Sequence, residues 1–187
     1  MYELLVLSLL MKFPLHAYLI SKIANDTIGP WEKISRGTLS TLLNKLNKAS
    51  LIQDAEPKHV PFPTGRPSRT YEITAKGRDR FYELMMETDK NLGNYTKIFH
   101  IKAICLEFLS YEDQLYVANH YIKYCQRAID HIKEQQLEFD NSPEEVELMQ
   151  DTPYYEKIRG LMAMKVNQWE LERQWAADLM ENKKKGE

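Results

Sequence analysis

From Leu4 to Met11 the chain is apolar at every position except Ser8, which predicts a helix over residues 2–12. A helix apolar on nearly every side needs more than one packing partner. Phe13-Pro14 ends it, because the residue before a proline is pushed out of the α region. A second helix is expected from about His16 to Asn25, with Tyr18, Leu19, Ile20 and Ile23 as core candidates. Gly29-Pro30 stops that helix, and Trp31 is expected to pack under the turn that follows. Next, Leu39, Leu42, Leu43 and Leu46 recur at helical spacing, so one face of a short helix is buried. Gly37, Thr38, Ser40, Thr41, Asn44, Lys45 and Lys48 are left outside, and Ser35 stands at the N-cap position. Residues 51–55 and 69–73 read as two short strands. Pro57, Pro61, Pro63, Gly65 and Pro67 break any helix between them. Thr74 caps a further helix, in which Gly77 is expected to cost about 1 kcal/mol relative to Ala.

The second half reads as helical throughout. Residues 91–94, containing Gly93, are the expected boundary. Ser110 and Asp113 form an approximate capping box. Behind them Leu115, Ala118, Ile122, Cys125, Ile129, Ile132, Gln136 and Phe139 repeat by threes and fours, as in a coiled-coil seam. Ser142-Pro143-Glu144-Glu145 signals another helix start, and Thr152-Pro153 opens a last helix running towards Asn182. That helix has two apolar stripes, one of Ile158, Met162, Val166, Trp169, Ala176 and Leu179 and one of Leu161, Met164, Leu171 and Trp175. Together they are too wide for one partner. One stripe covers the Ser110 helix and the other is left for a second chain, with Trp169 and Leu179 expected as interface anchors.

Charge separates the halves. Residues 1–88 hold 12 basic and 9 acidic side chains, residues 89–187 hold 13 and 18, and the whole chain carries −2. Within the first half, residues 33–69 hold seven basic against two acidic side chains, the local surplus expected of a surface that meets phosphates. A capped helix followed by a hairpin with a long basic tip is the plan of a winged helix. The expected fold is therefore mainly α with a small β-hairpin wing. A winged helix-turn-helix DNA-binding domain spans residues 1–88, and an all-α dimerisation domain spans 89–187.

Other function classes find little support. No run approaches the length of a membrane span. The apolar N-terminal stretch lacks the basic lead and cleavage site of a signal peptide, and two cysteines make no disulfide framework. A cytoplasmic protein is expected. His16, His59, His100, His120 and His131 show no zinc-ligand spacing, and no glycine-rich phosphate loop is present. No catalytic residue, metal or cofactor is expected.

The segments LLVLSLLMKFPLHAYLISKI, SRGTLSTLLNKL and GRPSRTYEITAKGRDRF together resemble the PadR family of bacterial transcriptional regulators, in the family's order, over about the first 88 residues. Ser40 replaces a Tyr usual in the family, and Ser50 and Ala17 each replace a Gly. The resemblance implies a dimeric repressor on a pseudo-palindromic operator in double-stranded DNA. Arg36, Thr38, Ser40, Thr41 and Asn44 form the expected reading face, with Asn44 suited to adenine and Arg36 to guanine or a phosphate. Lys45 and Lys48 are expected on phosphates. Arg66, Arg69 and Lys58 belong to the wing, with Arg66 a candidate for the minor groove. Longer members of the family dimerise through a helical C-terminal region, and some respond to phenolic acids. His16, Tyr154, Tyr155 and Trp169 are the candidate walls of a site for such an aromatic effector, although aromatic residues at helical spacing also read as core or interface. The rival function is a protein-interaction adaptor, in which the winged helix binds another protein rather than DNA.

Overall fold

The computed structural model describes residues 1–56, 59, 61, 69–141 and 153–184. Two compact units emerge, Met1–Leu109 and Ser110–Glu187. In the first, α1 (Tyr2–Lys12) is the central helix, with Leu4, Leu5, Val6, Leu7 and Leu10 all buried. Strand β1 (Leu15–His16) leads directly into α2 (Ala17–Ile28). Helix α3 (Arg36–Lys48) follows, then β2 (Ile52–Asp54), β3 (Thr70–Ile73) and α4 (Ala75–Met86). The three strands form one antiparallel sheet in the order β1-β3-β2, with Leu15 opposite Tyr71 and Ile52 opposite Ile73. A 3-10 turn at Leu92–Asn94 introduces α5 (Tyr95–Ala103), which buries Tyr95, Ile98, Phe99 and Ile101 within this first unit.

Caps settle where the helices begin. The Ser35 hydroxyl accepts the Thr38 amide at 3.1 Å, the Thr74 hydroxyl accepts that of Gly77 at 3.0 Å, and Ser110 accepts that of Asp113 at 3.2 Å. Each satisfies an amide that helical geometry leaves without a partner. The end of α3 is equally defined. Ser50 lies at φ 59°, the Ser50 amide donates to the Asn47 carbonyl, and the Leu51 amide donates back to Leu46. That pair of bonds is a Schellman motif with a left-handed residue past the cap, a place usually held by glycine.

Two expectations about the helix-turn-helix are corrected. Trp31 does not pack under the turn: it is 97% exposed. Ile34 is the residue buried there, and Glu32 ties the turn down by accepting hydrogen bonds from Tyr2 at 2.9 Å and Lys97 at 2.5 Å. Tyr18 is not core either. At 68% exposure it stands on the outer face of α2, while Ile20 and Ala24, four apart, take the inner one.

The second unit is a long antiparallel pair, α6 (Tyr111–Asn141) and α7 (Pro153–Lys184). The buried line of α6 runs through Val117, Ala118, Tyr121, Cys125, Ile129 and Ile132, so Leu115 and Ile122 lie at its edge, half-buried. Ile129 and Ile132 pack on Val166, Met162 and Trp169 of α7. Along the pair, Tyr121 donates to Glu172 at 2.9 Å, Arg173 donates to Gln126, and the Trp169 ring meets Tyr124 edge-on at 5.6 Å. The expected helix start at Ser142-Pro143 lies outside the described residues.

Candidate nucleic-acid interface

Helix α3 buries Leu39, Leu43 and Leu46 and half-buries Leu42. That one-sided burial turns Arg36, Thr38, Ser40, Thr41, Asn44, Lys45 and Lys48 outward, all exposed. Among the described residues, no hydrogen bond or ion pair engages the side chains of Arg36, Asn44, Lys45 and Lys48. The helix is held at both ends. Asn25 of α2 accepts the Ile34 amide at 2.7 Å just before the N-cap, and Lys76 of α4 donates to the Ala49 carbonyl at 3.0 Å just after the last turn. The exposed face is therefore presented by a fixed helix, with its positive N-terminal end and no acidic residue in its first turn.

The hairpin β2–β3 stands beside this helix. Arg69 is committed within it, donating to Asp54 at 2.7 and 3.2 Å and lying 5.3 Å over the centre of the Tyr71 ring. The hydrogen bond from Arg69 holds the Asp54 carboxyl below its ordinary range. Arg69 thus clamps the base of the wing, a role its position in the sequence does not disclose. On β3, the central strand, Glu72 accepts from Gln53 at 2.7 Å and lies 3.3 Å from His59. Lys58 and Arg66 lie outside the described residues.

Sequence reasoning passed over a groove of about 830 Å³ between α2 and α3, where Tyr18, Ser21 and Lys22 face Lys33, Arg36 and Ser40. Its floor is apolar, from Ile34, Leu39 and Leu43. The signal was present in the polar outer face of α2, but only the packing of the two helices places Lys22 opposite the start of α3.

Of the four candidate effector residues, His16 belongs to the first unit and Tyr154, Tyr155 and Trp169 to the second. His16 is buried in β1 and shares a 2.6 Å hydrogen bond with Thr70 across the sheet. In the second unit Tyr155 stacks on Phe139 at 5.2 Å and donates to Asp140, Tyr154 is exposed, and Trp169 packs on Tyr124. Tyr155 and Trp169 are fourteen residues apart on one helix, about 21 Å along its axis, so they do not share a site within that helix pair. Burial raises the Cys105 and Cys125 thiols above the ordinary value, the latter to about 11, which leaves both as packed, protonated groups. Among the described residues no cluster of His, Cys, Asp or Glu is arranged to hold a metal ion, and no helix is long and apolar enough to cross a membrane.

No curated protein matches the chain significantly. Solved structures it resembles include Bacillus subtilis PadR in complex with operator DNA, at 15% identity over 95% of this chain and 96% of that one, with a TM-score of 0.39. A PadR-like transcriptional regulator from Bacillus cereus aligns at 18% identity over 100% of both chains, TM-score 0.39. Bacillus subtilis PadR in complex with p-coumaric acid aligns at 15% identity over 95% of each chain, TM-score 0.37. Residues 6–83, from α1 through most of α4, match the Transcriptional regulator PadR-like family.

Proposed function

We propose that this chain is a homodimeric, cytoplasmic repressor that binds a pseudo-palindromic operator through α3 and its wing, and that a small aromatic acid relieves the binding. The observation that carries the DNA reading is the outward face of α3. Seven polar or basic side chains stand exposed on a helix fixed at both ends. Such a helix enters the major groove with its N-terminal residues against base edges. Asn44 is suited to adenine, Arg36 to guanine or phosphate, and Lys45 and Lys48 to phosphates. Arg66 and Lys58 remain the wing's proposed contacts, while Arg69 acts by holding the hairpin.

Support for a dimer comes from α7. The stripe containing Trp169 is spent on α6, whereas Leu161, Met164, Leu171 and Trp175 are all exposed. The second chain therefore covers this second stripe, and Trp169, packed on α6, is not its anchor. The effector class rests on the family match over residues 6–83, and a phenolic acid is the compound to try first, p-coumaric acid being the ligand of the Bacillus subtilis PadR complex. Tyr154, exposed at the start of α7, is the most accessible of the candidate wall residues.

The deciding experiment is selection and sequencing of DNA bound by the full chain, followed by fluorescence anisotropy on the selected duplex at two salt concentrations. Enrichment of a two-fold motif and a steep loss of affinity with salt are expected. No enrichment, with no salt-dependent binding, would leave the adaptor reading. Release of the selected duplex by millimolar p-coumarate tests the effector, and an intact complex would remove that part of the proposal.

A further inference from the structure

A second cavity, of about 610 Å³, lies within the first unit between α1, α2 and the residues that follow α5. Its wall is Leu9, Phe13, Leu15, Leu19, Ile23 and Ile104, and the buried Ser8 and Cys105 close it. Phe13 and Ile104 stay 45% and 50% exposed, so apolar surface around the cavity is left unburied. The hydroxyls in the wall are turned back on their own helices: Ser8 donates to the Leu5 carbonyl and Thr27 to the Ile23 carbonyl, each at 2.8 Å. Lys12 is the single charged side chain among the lining residues. Its ammonium meets Glu107 at 3.0 Å, in a pair exposed on both sides. A surface pair of this kind is weak and exchanges its anion readily. An apolar cavity beside one exchangeable cation complements a molecule with an apolar body and a single negative charge.

We infer that this cavity seats an organic monoacid, whose apolar body fills the space between α1 and α2 while its carboxylate replaces that of Glu107 on Lys12. The inference rests on the effector part of the proposed function and gives that effector a site inside the first unit. Aromatic and alkyl acids share the required chemistry. Glu107 is the link to regulation. It lies in the 3-10 turn Leu106–Phe108, three residues before Ser110, whose hydroxyl caps α6. An acid that takes Lys12 unties α1 from the segment leading into the second unit. It binds more tightly to the state in which that tie is already broken, and so favours that state.

The test is calorimetric titration of the full chain with p-coumarate, octanoate and 1-octanol, the last carrying the alkyl body without the charge. Binding of one acid per chain is expected, and the tighter of the two acids identifies the body as aromatic or alkyl. Lys12→Met should weaken the acid roughly tenfold, and Glu107→Gln, which removes the competing carboxylate, should tighten it about threefold. Neither substitution should move the weaker binding of octanol. Ile104→Trp fills the cavity from a half-exposed position, so it should block acid and alcohol alike while the melting temperature is kept. Failure of both acids to bind at millimolar concentration overturns the site, as does an acid affinity that ignores Lys12→Met. A change in sedimentation on Ile104→Trp assigns the cavity to a contact between chains and overturns it as well. Release of the selected duplex by p-coumarate that persists in Lys12→Met and Ile104→Trp keeps the effector and overturns the cavity. Acid binding that Ile104→Trp abolishes, without any release of the duplex, keeps the cavity as a binding site and removes the effector.

Discussion

Gly77, in the first turn of α4, faces the carbonyl of Leu51 so closely that a Cβ on it would stand 2.0 Å from that oxygen. The same carbonyl accepts the Thr74 amide at 3.1 Å, so the segment after α3 and the start of α4 are locked backbone to backbone. By helix propensity alone Gly77 is a defect worth about 1 kcal/mol. Within the unit it is the residue that lets the wing's first strand begin where it does.

Gly77→Ala should therefore destabilise the first unit, with the overpacking cost of about 1–3 kcal/mol or more outweighing the propensity gain. Gly160→Ala in α7 is the matched control. A Cβ there meets nothing within 4 Å, so the substitution should stabilise by about 1 kcal/mol. Urea unfolding of both variants checks the pair. A stabilised Gly77→Ala would show that the close approach relaxes at little cost.

Ser50 occupies a left-handed conformation, at φ 59°, that a side chain makes unfavourable by about 1–2 kcal/mol. Ser50→Gly should raise stability by about 1 kcal/mol and leave DNA affinity unchanged, because the Schellman bonds use only backbone atoms. The urea midpoint and an anisotropy titration measure the two halves of this expectation.

Exposed Leu171 and Trp175 are the expected centre of the dimer contact. Replacing both with Glu should produce a folded monomer in sedimentation, with helicity retained in circular dichroism, because desolvated aromatic anchors dominate interfaces. Trp169→Ala should act differently. It removes the ring packed on Tyr124 and the Ile129–Val166 core, so its effect is a lowered melting temperature. A Glu double variant that still sediments as a dimer removes this stripe as the interface.

On the reading face, Asn44→Ala should cost about 1–3 kcal/mol on the selected operator and little on random duplex. Lys45→Ala and Lys48→Ala should weaken both duplexes alike. Equal losses on the two duplexes for Asn44→Ala take it out of base recognition.

Lys102 supplies a pH dependence. Its ammonium is fully buried, donates to the Glu87 carbonyl at 2.6 Å and lies 5.8 Å from the centre of the Tyr95 ring. Burial pulls its pKa from 10.5 to about 8, against the opposing pull of Glu87. Between those two values the unfolded chain holds more protons than the folded one, so raising the pH favours folding. Stability of the unaltered chain should accordingly gain on that of Lys102→Met as the pH rises from about 8 to about 10, by up to about 1.4 kcal/mol per unit. A difference that does not change with pH would show that the lysine keeps its ordinary affinity for protons.

What the sequence by itself determined is local. Ser35, Thr74 and Ser110 announce three helix starts because a capping hydroxyl and its amide lie three residues apart, and that distance is visible in the chain. The split of α3 into a leucine face and a polar face follows from the 3.6-residue period, so the candidate reading residues were legible before any packing was known. Tertiary structure decided the rest. Strand β1 has only two residues, too short for any alternation, and it exists because β3 offers an edge. Trp31 and Ile34 compete for one inward place, and hydrogen bonds from Tyr2 and Lys97, 30 and 65 residues from Glu32, decide it for Ile34. The same is true of Arg69, whose partner Asp54 lies across the hairpin, and of the two stripes of α7, which are equally apolar until α6 covers one of them. In each case the deciding partner is far along the chain, and burial or ion pairing with it is an energy that no local pattern contains.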